Sequence, residues 1–558
     1  MKTVTGKSTL YLTSLLLAAA SALSGCQSDG VPEGAGAAGE GGSGKPNAAA
    51  AALPDKYDPP IEMTTVTYTF PNLKYTNGDD VNNNPWTRRL ERDFGIKVKT
   101  LWAVPADQYA QKANLMIATG NLPDFFPATP TQFKQLHEAG LLADLTDTYA
   151  RYAPDVVRRV MDEAGPEPLQ SAHIDGRLMA IPFTGVAKES GPVLWIRKDW
   201  MKKLNLSEPK TLDDVFAISE AFTKRDPDGN GKPDTFGLGM DNTLHSTFSF
   251  GIYNGYHAYS RIWIKDKRDD KLVYSSIQPE MKRALAKLQQ LYKDGQLDPE
   301  FPVKTSAKVN ESFGGNRIGM FYGARGSANF PLQQSTPNVE WQAYPMPSID
   351  GEPARPQHDL NIFSYYWVVK KGAPHPEALL KMLELWLNTN YFNTSDAVYE
   401  QYNQSADNNT IWQMAPVKMY RSIHNIDVYR RIAAVMKGES DASKLGPQEK
   451  VVYGHIREYE KGEMKYWGEF AQNSPNSSGA VLDYYYKNNL YVANRFYTTP
   501  TPAMIDKMPN LSKLEQETFT KIVLGAPIDE FDKFVDAWKR QGGDEVTKEV
   551  NDWYADQR

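Results

Sequence analysis

Thr65, Thr67 and Thr69 alternate with Val66, Tyr68 and Phe70, a period of two that predicts a strand. A polar loop rich in Asn, Asp and Gly follows over 75–83. Asn84-Pro85 then has the form of a helix N-cap and first helical residue, with Gly95 as the stop. Ile96, Val98, Thr100 and Trp102 resume the alternation, and Tyr109, Ala113, Met116 and Ile117 recur at helical spacing before Gly120. A third extended segment opens at Asp124-Phe125-Phe126. Strands and helices in this order predict a parallel sheet with helices packed on it. A second region begins near Gly191: 193–197 reads as a strand, Thr211-Leu212-Asp213-Asp214 as a capping box, and 279–291 and 376–387 as helices. Near the C-terminus, Phe531, Phe534, Val535 and Trp538 form one apolar face, Gly542-Gly543 a stop, and Val546, Val550, Trp553 and Tyr554 the next face. No internal repeat is visible. The pattern is that of an α/β protein in at least two lobes.

The N-terminal region is different. Residues 1–9 carry Lys2 and Lys7 and no acid, and 10–23 is uncharged and mostly apolar. That stretch is too short to span a bilayer comfortably and matches the core of a secretory signal. It ends in Leu23-Ser24-Gly25-Cys26, which resembles a bacterial lipoprotein signal, with Cys26 the residue that takes the lipid (palmitate among its acyl groups). The competing reading, an incidental cysteine behind an ordinary signal, must explain why the sole cysteine of 558 residues stands at that one place. Residues 27–52 are mostly Gly, Ala and Ser and cannot bury enough surface to offset the entropy of ordering. We therefore expect a signal peptide over 1–25 and a lipid anchor with flexible linker over 26–60. The body would sit on the extracytoplasmic face of the cell membrane.

Composition narrows the function classes. Apolar residues at 41% and charged residues at 23% fit a globular body rather than a disordered chain. One cysteine excludes an intramolecular disulfide, a four-cysteine zinc site and an iron–sulfur cluster. A formal charge of −6 without a dense basic block argues against nucleic acid as a partner. The sequence contains no G-x-S-x-G elbow, H-E-x-x-H helix or G-x-x-x-x-G-K-[ST] loop, and its eight histidines are scattered, so no catalytic residue is singled out.

One motif points to a metal. Asp226-x-Asp228-x-Asn230-Gly231-Lys232-x-Asp234 matches the first nine positions of an EF-hand calcium loop. Asp226, Asp228, Asn230 and Asp234 would offer side-chain oxygens, and Lys232 its backbone carbonyl. The usual bidentate glutamate at position twelve is replaced by Gly237, so further oxygens must come from elsewhere. The alternative is a plain polar turn. Three carboxylates so close repel one another without a cation, which favours a structural Ca2+.

Dispersed segments carry a wider resemblance: Trp86 to Val98, Thr119-Gly120-Asn121-Leu122-Pro123-Asp124, Trp195 to Trp200, Asp226 to Asp234, and Gly525, Phe531 to Val535 and Gly542-Gly543-Asp544. In that order and spacing the chain resembles extracellular solute-binding lipoproteins of family 1, receptor components of carbohydrate ABC importers. The resemblance covers most of 60–558. It implies a two-lobed type II periplasmic-binding-protein fold with hinge strands, ligand binding in the cleft, delivery to ABC-transporter permease subunits, and a monomer. On that basis the crossings are expected near 181–192, 358–366 and 496–502. Lobe 1 would then comprise 61–182 and 360–495, and lobe 2 190–357 and 500–558.

Sugars offer C–H faces to aromatic rings and hydroxyls to Asn, Asp and Arg, so an oligosaccharide cleft should mix both on loops at strand ends. Twelve Trp, 30 Tyr and 22 Phe supply many candidates. The loops 79–84, 124–126, 322–325 and 411–413 fit, and yield Asp80, Asn82, Trp86, Phe126, Tyr322, Arg325 and Trp412 as expected ligand contacts. Trp86, Phe126 and Trp412 have equally good readings as core. Two other functions stay open at this point. A peptide receptor would use the same scaffold, and a surface-anchored glycoside hydrolase would need two carboxylates across a cleft.

Overall fold

A reciprocal cap sets the first βαβ unit. The Asn84 side-chain oxygen accepts from the N–H groups of Trp86 at 3.0 Å and Thr87 at 3.2 Å, and the Asn84 N–H donates to Thr87 Oγ1 at 2.9 Å. This starts α1 (Pro85–Phe94), which ends at Gly95 with φ of 65°. No side chain fits there, since a Cβ on Gly95 would stand 2.2 Å from the Tyr57 carbonyl oxygen. The helix joins β1 (Ile61–Thr69) to β2 (Ile96–Pro105), which pair in parallel from Ile61 against Ile96. In β2 the buried Ile96, Val98 and Thr100 alternate with exposed Lys97, Lys99 and Leu101.

The computed structural model describes residues 54–70, 73–360, 362–405 and 409–557, without the side chains of 363 and 364. The expected signal peptide, Cys26 and most of the linker lie outside the described residues. The further strands are β3 (Phe125–Ala128), β4 (Ile181–Thr184), β5 (Val193–Arg197), β6 (Phe236–Leu238), β7 (Ile318–Gly323), β8 (Trp341–Tyr344) and β9 (Ile362–Val369). β9 lies between β3 and β4 and is antiparallel to both. A four-stranded sheet has the order β8-β5-β7-β6, with β6 and β7 parallel and β5 antiparallel to β7 and β8. The fold is α/β, as expected; the parallel pairing anticipated in the first region holds for β1 and β2, whereas β3 pairs antiparallel with β9 and the four-stranded sheet is mixed. Local periodicity marks a strand and says nothing about the direction of its partner.

Two large hydrophobic cores organise the chain. The first holds Trp86, Ile96, Phe125, Phe133, Trp367 and Trp386; the second holds Trp195, Trp200, Phe321, Tyr322, Trp341 and Trp538. The chain passes from one to the other between Phe183 and Val193, between Ala354 and Tyr366, and between Met419 and Ile426. The third passage was expected at 496–502, yet Phe496 and Ala503 both pack in the second core. Consequently Ile426, Trp467, Val481, Leu482 and Tyr485, placed by the sequence in the first lobe, belong to the second core. Amphipathic helices fill this stretch, and an apolar face does not declare which core it seeks. The ones used below are α2 (Asp155–Ala164), α3 (Asp396–Tyr402), α4 (His424–Met436), α5 (Pro447–Glu460) and α6 (Trp467–Asn473).

The second core encloses a polar cluster. His245 shares a 2.7 Å hydrogen bond with Ser260 Oγ through Nδ1, and its Nε2 is 3.4 Å from the fully buried Glu515. Glu515 is already paired with Arg261 at 3.3 Å and accepts from the Tyr274 hydroxyl at 3.1 Å. Burial, and then the Arg261 charge, hold the His245 imidazole down at about 2, so it stays neutral. The unfolded chain binds a proton at this position below about 6.5 while the folded chain does not, so this contribution to stability is present above that pH and is lost as pH falls. Glu189, pushed up to about 7 by burial, acts in the opposite sense over pH 7 to 4.5. The prediction is therefore differential. Between about pH 7 and 5 wild type loses stability relative to His245→Gln, by up to about 1.4 kcal/mol per pH unit. Urea titrations of both proteins at each pH measure it, and parallel curves would refute it.

Candidate functional site

In open α/β sheets, ligands collect at the carboxyl ends of the strands. Here the loop over 73–84 follows β1, and β7 runs out at Gly323 into 324–329. Each loop borders a cavity. The first, about 540 Å³, is lined by Asp79, Asn83, Arg88 and Asn409 among others. The second, about 690 Å³, is lined by Arg325, Asn329, Asn425, Tyr466, Glu469 and Asn473 among others. A third of about 450 Å³ shares Ser405 with the first, and Tyr399, Gln404, Val451 and His455 with the second. The three adjoin as one tract. Its walls come from α3 and the loop over 73–84, which belong with the first core, from α6 and the 325–334 segment after β7 on the second, and from α5, which packs in a small third cluster with Ile432 and Leu445. A larger cavity of about 950 Å³ borders the acidic loop and is lined only by residues 223–299, so it does not bring the two cores together.

Arg325 is the expected contact that lines the tract. One terminal nitrogen donates to Asn473 Oδ1 at 2.8 Å, and Nε is enclosed with no acceptor. Nearby, Glu189 lies in the first passage between the cores. Its carboxylate accepts from Asn425 Nδ2 at 2.6 Å and from the Ile426 N–H at 3.0 Å, within the first turn of α4. Burial pushes this carboxyl up to about 7, with the Arg325 charge working against the rise. Arg421, in the third passage, pairs with Glu163 of α2 at 2.7 Å and with Asp427 of α4 at 2.8 Å. His455 stacks on Tyr466 at 4.3 Å and 12° in the tract wall.

The other expected contacts stand elsewhere. Trp86 is 1% exposed, packs 5.3 Å from Trp386, and gives its indole N–H to the Tyr402 carbonyl at 3.0 Å. Phe126 is buried in β3 opposite Val368. Tyr322 is buried in β7 against Gly251, whose Cβ, if present, would stand 2.0 Å from the ring. All three are core residues, with no ring face left for a ligand. Trp412 is half-buried on the first core, edge-on to Trp386 at 6.4 Å, while its neighbour Ile411 lines the first cavity. Asp80 accepts from the Asn82 and Asn83 N–H groups at 2.7 Å each. Asn82 in turn accepts from the Thr100 N–H at 2.7 Å. These two residues shape the loop, and Asp79 and Asn83 beside them line the cavity. The sequence reading missed Tyr466, Glu469 and Asn473. They sit on the polar faces of helices, where a site residue and a solvent-facing one look the same.

The acidic loop has the donor chemistry of a hard-cation site. Asp226 accepts from the Gly229, Asn230 and Gly231 N–H groups at 3.0 to 3.1 Å. Asn230 Nδ2 reaches both Asp228 at 2.7 Å and Asp234 at 3.1 Å, which brings their oxygens around one point. Partial burial, then Asp226 and Asp234 alongside, push the Asp228 carboxyl up. No set of three or more His, Cys, Asp or Glu side chains among the described residues stands in ready metal-holding geometry. At position twelve Gly237 donates its N–H to Thr223 Oγ1 at 3.1 Å and contributes no carboxylate. The residues fit an oxygen-binding ion in kind, with an amide now bridging the acids.

Trp86→Ala removes the Trp386 contact and the bond to Tyr402 together. It should lower the unfolding free energy by about 3–5 kcal/mol and leave ligand affinity of the folded variant unchanged. Unchanged stability with lost binding would restore Trp86 to the site.

The bacterial extracellular solute-binding protein family matches residues 83–390. The fructooligosaccharide ABC transporter substrate-binding protein FusA of Streptococcus pneumoniae serotype 4 is 29% identical over 238 residues, 40% of this chain and 43% of FusA. The chain thus aligns with less than half of that relative's length. Lipoprotein LipO of Bacillus subtilis is 23% identical over 504 residues, 85% of this chain and 89% of LipO. Among solved structures, the alginate-binding protein AlgQ2 without calcium ion superposes with a TM-score of 0.60 at 17% identity, covering 91% of this chain and 99% of that one. An EF-hand mutant of FusA in complex with fructo-nystose does so with 0.60 at 17% identity, covering 89% and 99%. The chain belongs to the bacterial extracellular solute-binding proteins, a family of binders rather than enzymes.

Proposed function

We propose that this solute-binding protein is a lipid-anchored extracytoplasmic receptor that captures an oligosaccharide in the tract between its two cores and delivers it to the permease subunits of an ABC transporter. The observation that carries this reading is the joined tract itself. Its polar side chains come from both cores, as a ligand that draws two lobes together requires. Asn, Gln, Arg and Glu supply partners for hydroxyls. FusA and AlgQ2 are carbohydrate binders by their names, which supports a sugar over a peptide. The passages at 184–192, 355–365 and 420–425 act as the hinge on this reading. Cys26 carries the anchor, and Gln27 onward the tether.

Small-angle scattering on the full-length Cys26→Ser chain tests the proposal. Addition of a bound oligosaccharide should shrink the radius of gyration, and the sugar should be recovered intact. Shortened sugar products released with turnover, and no compaction, would defeat the receptor in favour of a hydrolase.

Calcium belongs to the same proposal, as a structural ion held by the side chains of Asp226, Asp228, Asn230 and Asp234 and the Lys232 carbonyl. It would neutralise the facing carboxylates and fix the turn between the helix Leu212–Lys224 and β6. Asp226→Ala combined with Asp228→Ala should abolish stoichiometric calcium in elemental analysis and lower the melting temperature, with ligand affinity little changed. Metal-free wild type purified without chelator would count against it.

A further inference from the structure

Several partly enclosed arginines in this chain pair with acids, while Arg158 and Arg317 bond to backbone carbonyls instead. Arg197 is paired with Asp199, Arg421 with Glu163 and Asp427 at 2.7 and 2.8 Å, and Arg430 with Asp483 at 2.7 Å. Arg325 differs. Among the described residues no carboxylate is within ion-pair distance of its guanidinium, which has Asn473 Oδ1 at 2.8 Å and an enclosed Nε without an acceptor. The acids that bear on it electrostatically are Glu189 and Glu469. Glu189 is held by Asn425 and the Ile426 N–H at 2.6 and 3.0 Å, and Glu469 faces His455 at 4.0 Å. A buried cation is costly unless an anion meets it. Burial pulls the guanidinium down from its ordinary value, a penalty that an incoming anion would lift. The same cavity wall carries Lys465, which is mostly exposed and lies 3.8 Å from Glu463, so Arg325 is the lining cation without an acid at ion-pair distance.

We infer that Arg325 receives the carboxylate of an acidic sugar, so that the ligand is a uronate-bearing oligosaccharide rather than a neutral one. This rests on the receptor reading above and narrows its substrate class. The planar fork of an arginine matches a carboxylate through two parallel N–H bonds, and Arg325, whose Nε is enclosed, has its terminal nitrogens to offer. Asn329, Gln404 and Asn473 line the same space and suit the flanking hydroxyls.

The test is calorimetry on the full-length Cys26→Ser chain with oligogalacturonate, oligomannuronate and oligoglucuronate, each against its carboxyl-reduced neutral counterpart. At least one acidic oligomer should bind about tenfold or more tightly than its reduced form, with a preference that weakens as salt rises. Arg325→Gln should weaken the acidic form far more than the neutral one, so that the preference is lost, while Arg325→Lys should keep part of it. Neutral forms binding as well as or better than the acidic ones in wild type would overturn the inference and leave the sugar receptor standing. The same holds if Arg325→Gln weakens both forms alike. If no oligomer of either kind binds, and the scattering experiment shows no compaction with any sugar, the receptor reading falls with it.

Discussion

A carboxylate buried where the chain passes between two cores must find donors, and Glu189 finds them on the first turn of α4. Its bonds to Asn425 and the Ile426 N–H tie the first passage to the third, so two segments far apart in sequence are fixed side by side. Arg421 adds a second tie through Glu163 and Asp427, joining a helix of the first core to one of the second. The position of α4 decides where α5 and α6 lie, and those helices form one wall of the tract. Placement of the tract therefore follows from a hydrogen-bonding requirement at the passages. The Glu189 carboxyl, pushed up to about 7, also leaves Arg325 with little compensation near neutrality.

Local grammar was legible in the sequence. The Asn84 cap, the Gly95 stop, the Thr211 capping box and the Gly542 break all appear where turn and cap chemistry places them. These features depend on a few neighbouring residues. Strand direction and the route of the third passage depend on contacts hundreds of residues apart, for which no local signal exists. The 420–426 segment carries no glycine or proline cluster to mark it. Residues 496–502, with Pro500 and Pro502, look more like a boundary but stay with the second core.

The candidate site was harder to read for a related reason. Large aromatic rings were favoured as sugar platforms, yet Trp86, Phe126 and Tyr322 are core residues because burying a ring is the larger gain in free energy. Arg325 lines the tract, and its place directly after a fully apolar strand is what singled it out in the sequence. Asp80 and Asn82 bond to the backbone while their neighbours Asp79 and Asn83 line the cavity, since adjacent residues in a polar turn divide between backbone bonding and open space.

Magnitudes also favour a ligand as the element that fixes how the cores sit. Beyond the passages, contacts between the two sides include the exposed Lys450–Asp396 pair at 3.0 Å and the bond from Lys134 Nζ to the Pro500 carbonyl at 2.7 Å. An exposed ion pair is worth about 0–1 kcal/mol. Moving an equilibrium from about 1:99 to 99:1 takes about 5.5 kcal/mol of differential binding, while micromolar affinity corresponds to about 8 kcal/mol in all. A ligand bound at that strength, with most of its contacts available only when Asp79 and Asn83 on one side and Arg325 and Asn473 on the other engage together, can therefore set the closed arrangement. One that touched a single wall would bind both arrangements equally and shift nothing. On the receptor reading, a residue that lines the tract from the second core, as Arg325 does, would contribute to closure as well as to selection.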